Sequence, residues 1–209
     1  NICRFIPSLP GYIYAVKDKD VYVNLFMSNT SDLKVGGKAV SIEQTTKYPW
    51  NGDITIGINK NRSEYKGTDI MLKAAQDIAE KYPEKVELRI AESVPFAEYI
   101  EMMNGSDAIL DQLYSYTPSM NPLEAMARGI ICIGGGEPEN YEILHEEHLR
   151  PIINVLPNYE SVYQQLEHFI ENPQLIPELK RQGIEYISHH HDYVKVAKEY
   201  EAFYQKILA

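Results

Sequence analysis

The chain has 209 residues, with 20 Lys or Arg against 30 Asp or Glu and a formal net charge of −10. That balance argues against a protein that neutralises a nucleic-acid backbone. At 44% hydrophobic and 24% charged residues, the length suffices for one large or two small domains with a real core.

Residues 1–20 hold no long periodic element, because Pro7 and Pro10 restrict any helix to a short piece. Asp18-Lys19-Asp20 has a D-x-D spacing, but it reads as a solvated hairpin tip rather than a metal motif. Val21–Met27 is β-branched and aromatic, as a strand is. Gly36-Gly37 marks a hairpin turn before a second strand, Ala39–Gln44. Tyr48–Asp53 is a further turn that feeds a strand over Ile54–Ile58. Residues 1–52 therefore read as a small antiparallel β segment.

Residues 53–209 alternate β and α. A helix capped by Thr68 or Asp69 runs to about Lys81, with Ile70, Met71, Ala74, Ala75 and Ile78 on one face. Strands are expected over Val86–Ala91, Ala108–Leu110, Ile130–Ile133 and Ile152–Val155. Helices are expected over Phe96–Met103, from Asn121, over about Pro138–Glu146, Ser161–Glu171, about Ile176–Ser188 and Val194–Leu208. Such alternation predicts an α/β fold with a doubly wound, parallel, Rossmann-like sheet. Sheets of this kind bind ligands beyond the carboxyl ends of their strands. The two cysteines, Cys3 and Cys132, lie in different segments, which argues against a disulfide framework. No signal peptide and no apolar run long enough for a bilayer is present. A start at Asn1 rather than Met reads as a fragment or a processed piece.

The stretch Asn121–Gly136, NPLEAMARGIICIGGG, carries the chemistry. Asn121 and Pro122 suit a helix start, and Gly129 suits its end. Free N–H groups at that start favour an anion. Glu124 sits one turn in, where a carboxylate can accept hydrogen bonds from ribose hydroxyls. Gly134, Gly135 and Gly136 would let a ligand approach the backbone where the apolar strand ends.

LEAMARG, the apolar strand and GGG-EPE together resemble the donor-binding C-terminal half of GT-B glycosyltransferases, the family 4-like group that builds bacterial polysaccharides. The resemblance implies that Arg62 and Lys66, in the loop Asn61–Gly67, hold the donor diphosphate and stabilise it as a leaving group. Their separation of four is shorter than the family pattern, which makes Lys60 a reserve candidate. Glu124 matches the second, ribose-holding glutamate of the family's E-x7-E pattern. The first glutamate, which contacts the transferred sugar, falls on Tyr116. A Tyr hydroxyl or Asp111 is the available replacement. Backbone N–H groups of Met120 and Asn121 would serve the distal phosphate, with Gly135 beside them. Val94-Pro95-Phe96 reads as a hydrophobic staple, although in relatives a loop near here packs on the base. His189-His190-His191-Asp192 is a poor metal site, since consecutive side chains point apart.

The front segment has its own resemblance. NICRFIPSLPGYIYA, VYVNLFMSN and EQTTKYPWNGDITI look like the bacterial β-L-arabinofuranosidases, cysteine-dependent glycoside hydrolases. In that family the stretch follows a Cys-Cys-Pro motif with the nucleophile; here the chain starts after it, and Cys3 is not a match.

The GT-B resemblance implies transfer, with retention, of a sugar from a nucleotide diphosphate sugar to a saccharide or lipid-linked acceptor. No cofactor or metal is implied beyond the donor itself. The implied setting is cytoplasmic, with an N-terminal Rossmann-like domain completing the cleft and peripheral membrane association of the full enzyme. This chain alone would bind nucleotide weakly and turn over nothing. The rival readings are a glycosidase fragment and a non-catalytic nucleotide-binding module.

Overall fold

The computed structural model describes the backbone of residues 34–35, 38–39, 54–59 and 66–208, and the side chains of 54–58 and 66–208. Lys34–Val35 (β1) and Lys38–Ala39 (β2) pair antiparallel, with Val35 opposite Lys38. This pairing brackets Gly36-Gly37, where a hairpin turn is expected, and the second strand expected over Ala39–Gln44 lies outside the described residues beyond Ala39. The strand expected over Val21–Met27, the Asp18–Asp20 turn, Cys3, Lys60 and Arg62 lie outside the described residues.

Five parallel strands form the main sheet: β3 (Ile54–Asn59), β4 (Val86–Ala91), β5 (Ala108–Leu110), β6 (Ile131–Gly134) and β7 (Ile152–Asn154). Their order is β4-β3-β5-β6-β7. Between them run α1 (Thr68–Lys81), α2 (Phe96–Asn104), α3 (Met120–Ala127) and α4 (Pro138–Leu144). After β7 come α5 (Tyr159–Glu171), α6 (Ile176–His190) and α7 (Tyr193–Leu208).

The apolar strands are covered on both faces, which is why they read as continuous rather than alternating runs. Ile54, Ile56, Ile58, Leu110, Ile131 and Ile133 pack with Met71, Ala74, Ala75 and Ile78 of α1 and Val162, Leu166 and Phe169 of α5. On the opposite face Cys132 packs with Leu123 and Met126 of α3 and Tyr186 and Ile187 of α6, and Ile109 with Met103 and Ala125. Each fully buried Ile or Leu contributes about 2 kcal/mol of transfer free energy. Winding reverses direction between β3 and β5, so the crevice for a ligand opens outside their carboxyl ends.

Element ends differ from the sequence expectation for identifiable reasons. Gly129 takes φ 73° and donates its N–H to Met126 O at 3.0 Å, while Ile130 N–H reaches Ala125 O at 3.0 Å. This Schellman closure claims Ile130, so β6 starts at Ile131. Helix α1 follows Gly67, at φ 69°, and neither Thr68 nor Asp69 caps it with a side chain. His145 takes φ 54° and stops α4 at Leu144, two residues short of the expected end. In α7 Val196 and Phe203 are buried, whereas Tyr193, Tyr204 and Ile207 are exposed. Among the described residues no helix is long and apolar enough to cross a membrane.

Candidate functional site

Among the described residues, Lys66, Asp111 and the start of α3 come together at the mouth between β3 and β5. Lys66 lies just before Gly67, whose positive φ turns the chain into α1. A Cβ on Gly67 would stand 2.9 Å from Leu113 Cδ1, so the glycine lets this turn press against the segment after β5. Lys66 O accepts from Leu113 N–H at 2.9 Å, which ties the two loops together. Asp111 is the first residue past β5 and is buried. Lys66 Nζ donates to its Oδ1 at 2.9 Å.

The start of α3 converges on the same carboxylate. Ser119 Oγ lies 3.4 Å from Asp111 Oδ2, and Asn121 Nδ2 lies 3.3 Å from Oδ1. Tyr99 Oη, from α2, donates to Asn121 Oδ1 at 2.6 Å and fixes that amide. Helical geometry gives the first N–H groups of α3, on Met120 and Asn121, no partner within the helix. Three donors and a helix start thus surround one anionic group, a setting that also suits a phosphate.

Glu124 stands one turn deeper on α3 and is half-buried. Burial pushes its carboxyl above the usual carboxylate range, and the Arg128 guanidinium opposes that rise. Arg128 Nη2 is 3.3 Å from Glu124 Oε1, and Nη1 bonds Asn104 Oδ1 at the end of α2. Tyr114, Tyr116, Met120 and Phe96 are all exposed.

The glycine reading needs correction. A Cβ on Gly135 would lie 1.7 Å from Ser115 O. Gly135 N–H donates to Gln112 O at 3.0 Å, and Glu137 N–H to Tyr116 O at 3.2 Å. What approaches this glycine is therefore the chain's own 112–116 loop, not open space for a ligand. A Cβ on Gly136 would lie 2.7 Å from the Ile152 side chain, and its N–H donates to Asn154 Oδ1 at 2.9 Å.

Of the residues expected at the site, Lys66 and Asn121 meet at Asp111, Met120 begins α3 and Glu124 stands one turn into it, and Tyr116 is exposed. Arg62 is outside the described residues. Four further residues belong to the arrangement: Tyr99, Asn104, Ser119 and Arg128. Arg128, four residues after Glu124, carried a signal in its i, i+4 spacing; Tyr99, Asn104 and Ser119 meet it only through folding. Asp111, raised in the sequence as a replacement carboxylate, sits at the centre. The histidine run forms no metal cluster: His190 pairs with Glu146 at 2.6 Å, and among the described residues no group of three or more ligands could hold an ion. A cavity of about 760 Å³ lies nearby, between α4 and the β7 edge. Glu142, Glu146 and Glu147 line it against Arg150, the wrong sign for a diphosphate.

A family profile described as glycosyl transferase-like matches residues 51–202. The chain belongs to this glycosyl transferase-like family. Among curated proteins, none matches it in sequence. Solved glycosyltransferases share its fold. A glycosyltransferase from Rickettsia africae matches with a TM-score of 0.62 at 14% identity over 93% of this chain and 59% of its own. Anabaena HepE in complex with UDP matches at 0.57 and 14% identity over 86% and 56%. Sucrose-phosphate synthase from Thermosynechococcus elongatus matches at 0.60 and 13% identity over 88% and 52%. The chain thus spans little more than half the length of these glycosyltransferases, and the shared part is their α/β, GT-B Rossmann-like architecture.

Proposed function

We propose that residues 53–209 form the donor-binding half of a retaining glycosyltransferase that takes a nucleotide diphosphate sugar. One observation carries the reading: Lys66, Asp111 and the start of α3 meet at the switch point of a sheet whose family is glycosyl transferase-like. In this reading the diphosphate lies against the Met120 and Asn121 N–H groups. Lys66 and Arg62 take up the negative charge that develops as the bond from the sugar to the diphosphate breaks. Glu124 accepts from the ribose hydroxyls. The saccharide or lipid-linked acceptor, and the N-terminal domain that would bind it, complete the cleft over the exposed Tyr114, Tyr116 and Met120. The donor places the reaction in the cytoplasm, with the full enzyme peripheral to a membrane. Residues 1–52 are, on the motifs quoted above, a glycosidase-derived front segment.

HepE has been solved with UDP and with UDP-glucose, so these are the first ligands to test. Calorimetric titration of the wild type, Arg62→Ala and Lys66→Ala should show each variant binding UDP about tenfold more weakly, as befits a lost charge-assisted contact. Equal weak heats for all three would overturn the site.

A second reading, a non-catalytic nucleotide-binding module, is favoured by Tyr116 in place of the first glutamate and by a Lys66 already paired with a carboxylate. It predicts a UDP-induced thermal shift but no UDP release from UDP-glucose, even when an N-terminal domain is supplied.

A further inference from the structure

Arg128 is the buried cation of the α3 motif, with a side chain only 2% exposed. A buried charge is costly unless it is paired and hydrogen-bonded. Here the pairing is incomplete: Nη1 bonds Asn104 Oδ1, Nη2 bonds Glu124 Oε1, and Nε is buried without a partner among the described residues. An apolar side chain would fill this space without stranding a donor, and buried ion pairs are often no better for stability than apolar replacements. The arrangement therefore serves something other than stability. Arg128 engages one oxygen of Glu124 and is anchored from α2, which fixes the orientation of the carboxylate.

We propose that Arg128 is a positioning residue, anchored by Asn104, that holds the Glu124 carboxylate oriented toward the ribose hydroxyls of a bound nucleotide. This rests on reading Glu124 as the ribose acceptor. Two vicinal hydroxyls are best received by an ionised carboxylate in a fixed plane. Burial works against that ionisation, and Arg128 is the charged group that opposes it. The other charged side chains on the elements packed against α3 are committed elsewhere or exposed. On α6, Lys180 pairs with Asp107, while Arg181 pairs with Glu178 and Glu185. On α2, Glu98 and Glu101 are exposed.

The test has two arms on the full chain. Carboxyl-carbon NMR titration of Glu124, without nucleotide, compares wild type with Arg128→Met and Arg128→Lys. Calorimetry compares UDP with an analogue lacking both ribose hydroxyls. The Glu124 midpoint should rise by about one pH unit in Arg128→Met and return in Arg128→Lys. Wild type should prefer UDP about tenfold, a preference lost in Arg128→Met and restored in Arg128→Lys. An unmoved midpoint, or an undiminished preference in Arg128→Met, overturns the proposal. A wild type that shows no preference, together with a midpoint that does move, places the failure in the ribose reading and overturns the positioning role with it. If Arg128→Met does not fold, Arg128→Gln carries both readouts, since it removes the charge while keeping a polar side chain that can still bond Asn104.

Discussion

Lys66 Nζ stands 2.9 Å from Oδ1 of Asp111, whose side chain is 2% exposed. An internal anion therefore occupies the point where Lys66, Ser119 and Asn121 direct their donors. The pair joins the loop after β3 to the end of β5, the two strands that flank the switch point. An incoming diphosphate would meet a lysine that is already oriented but also already neutralised. Affinity then depends on whether the three donors of the ammonium can bridge carboxylate and phosphate together.

This pair separates structural from ligand effects. Lys66→Ala leaves a buried carboxylate with only polar neutral partners among the described residues, and should destabilise the fold by about 3 kcal/mol. Lys66→Ala combined with Asp111→Asn removes both charges and should recover most of that loss in urea denaturation. The double variant should nevertheless bind UDP as weakly as Lys66→Ala. Recovery of UDP binding by the double variant would show that Lys66 serves the fold alone.

Gly135 gives a sharper steric expectation. A Cβ there would lie 1.7 Å from Ser115 O, whereas one at Gly134 would lie 3.2 Å from Gln112 O. Backbone cannot rotate away as a side chain can. Gly135→Ala should therefore cost about 3 kcal/mol or more, and Gly134→Ala about 1 kcal/mol. Thermal unfolding of the two variants checks the contrast; equal melting temperatures would contradict the packing described.

The parallel sheet was legible because its signals are local: Ile130 to Ile133 is an all-apolar run, and Gly129 closes the preceding helix. The error of one residue at the start of β6 came from Ile130, whose N–H belongs to the helix closure although its side chain suits a strand. Of the candidate arrangement, only the sequence-local parts, Lys66 and the Asn121–Glu124 turn, were legible as candidates. Tyr99 and Asn104 were not, because their bonds to Asn121 and Arg128 span 22 and 24 residues and exist only once α2 lies beside α3. The glycines misled for a similar reason. Their composition shows that something comes close, but not that it is the loop at Ser115.

Tyr116 tests the missing glutamate. Its side chain is 56% exposed, so Tyr116→Glu should change stability by no more than about 0.5 kcal/mol. If position 116 contacts the transferred sugar, the variant should bind UDP-glucose more tightly relative to UDP, by roughly fivefold for one added charge-assisted hydrogen bond. An unchanged ratio in calorimetry would place the sugar elsewhere.

Glu146 makes stability depend on pH. Burial pushes its carboxyl up, but bonds from His190, Leu149 N–H and His148 N–H outweigh that and hold it at about 2, against an ordinary 4.5. A lowered folded value means the unfolded chain takes up the proton first as pH falls. The stabilisation is therefore complete above about pH 4.5 and is lost as pH falls toward 2. Burial also lowers His190 below its ordinary value, so protonation of that ring costs stability on the acid side as well. Glu146→Gln keeps the shape of the side chain but removes the charge that the two backbone N–H groups and His190 favour. At pH 7 it should lower the melting temperature by about 5 °C, equivalent to roughly 2 kcal/mol. Between pH 4.5 and 2.5 the gap between the two proteins should narrow, because the wild type loses there what the variant lacks throughout. Melting curves across that range check it, and parallel curves would mean that Glu146 is not held ionised by these partners.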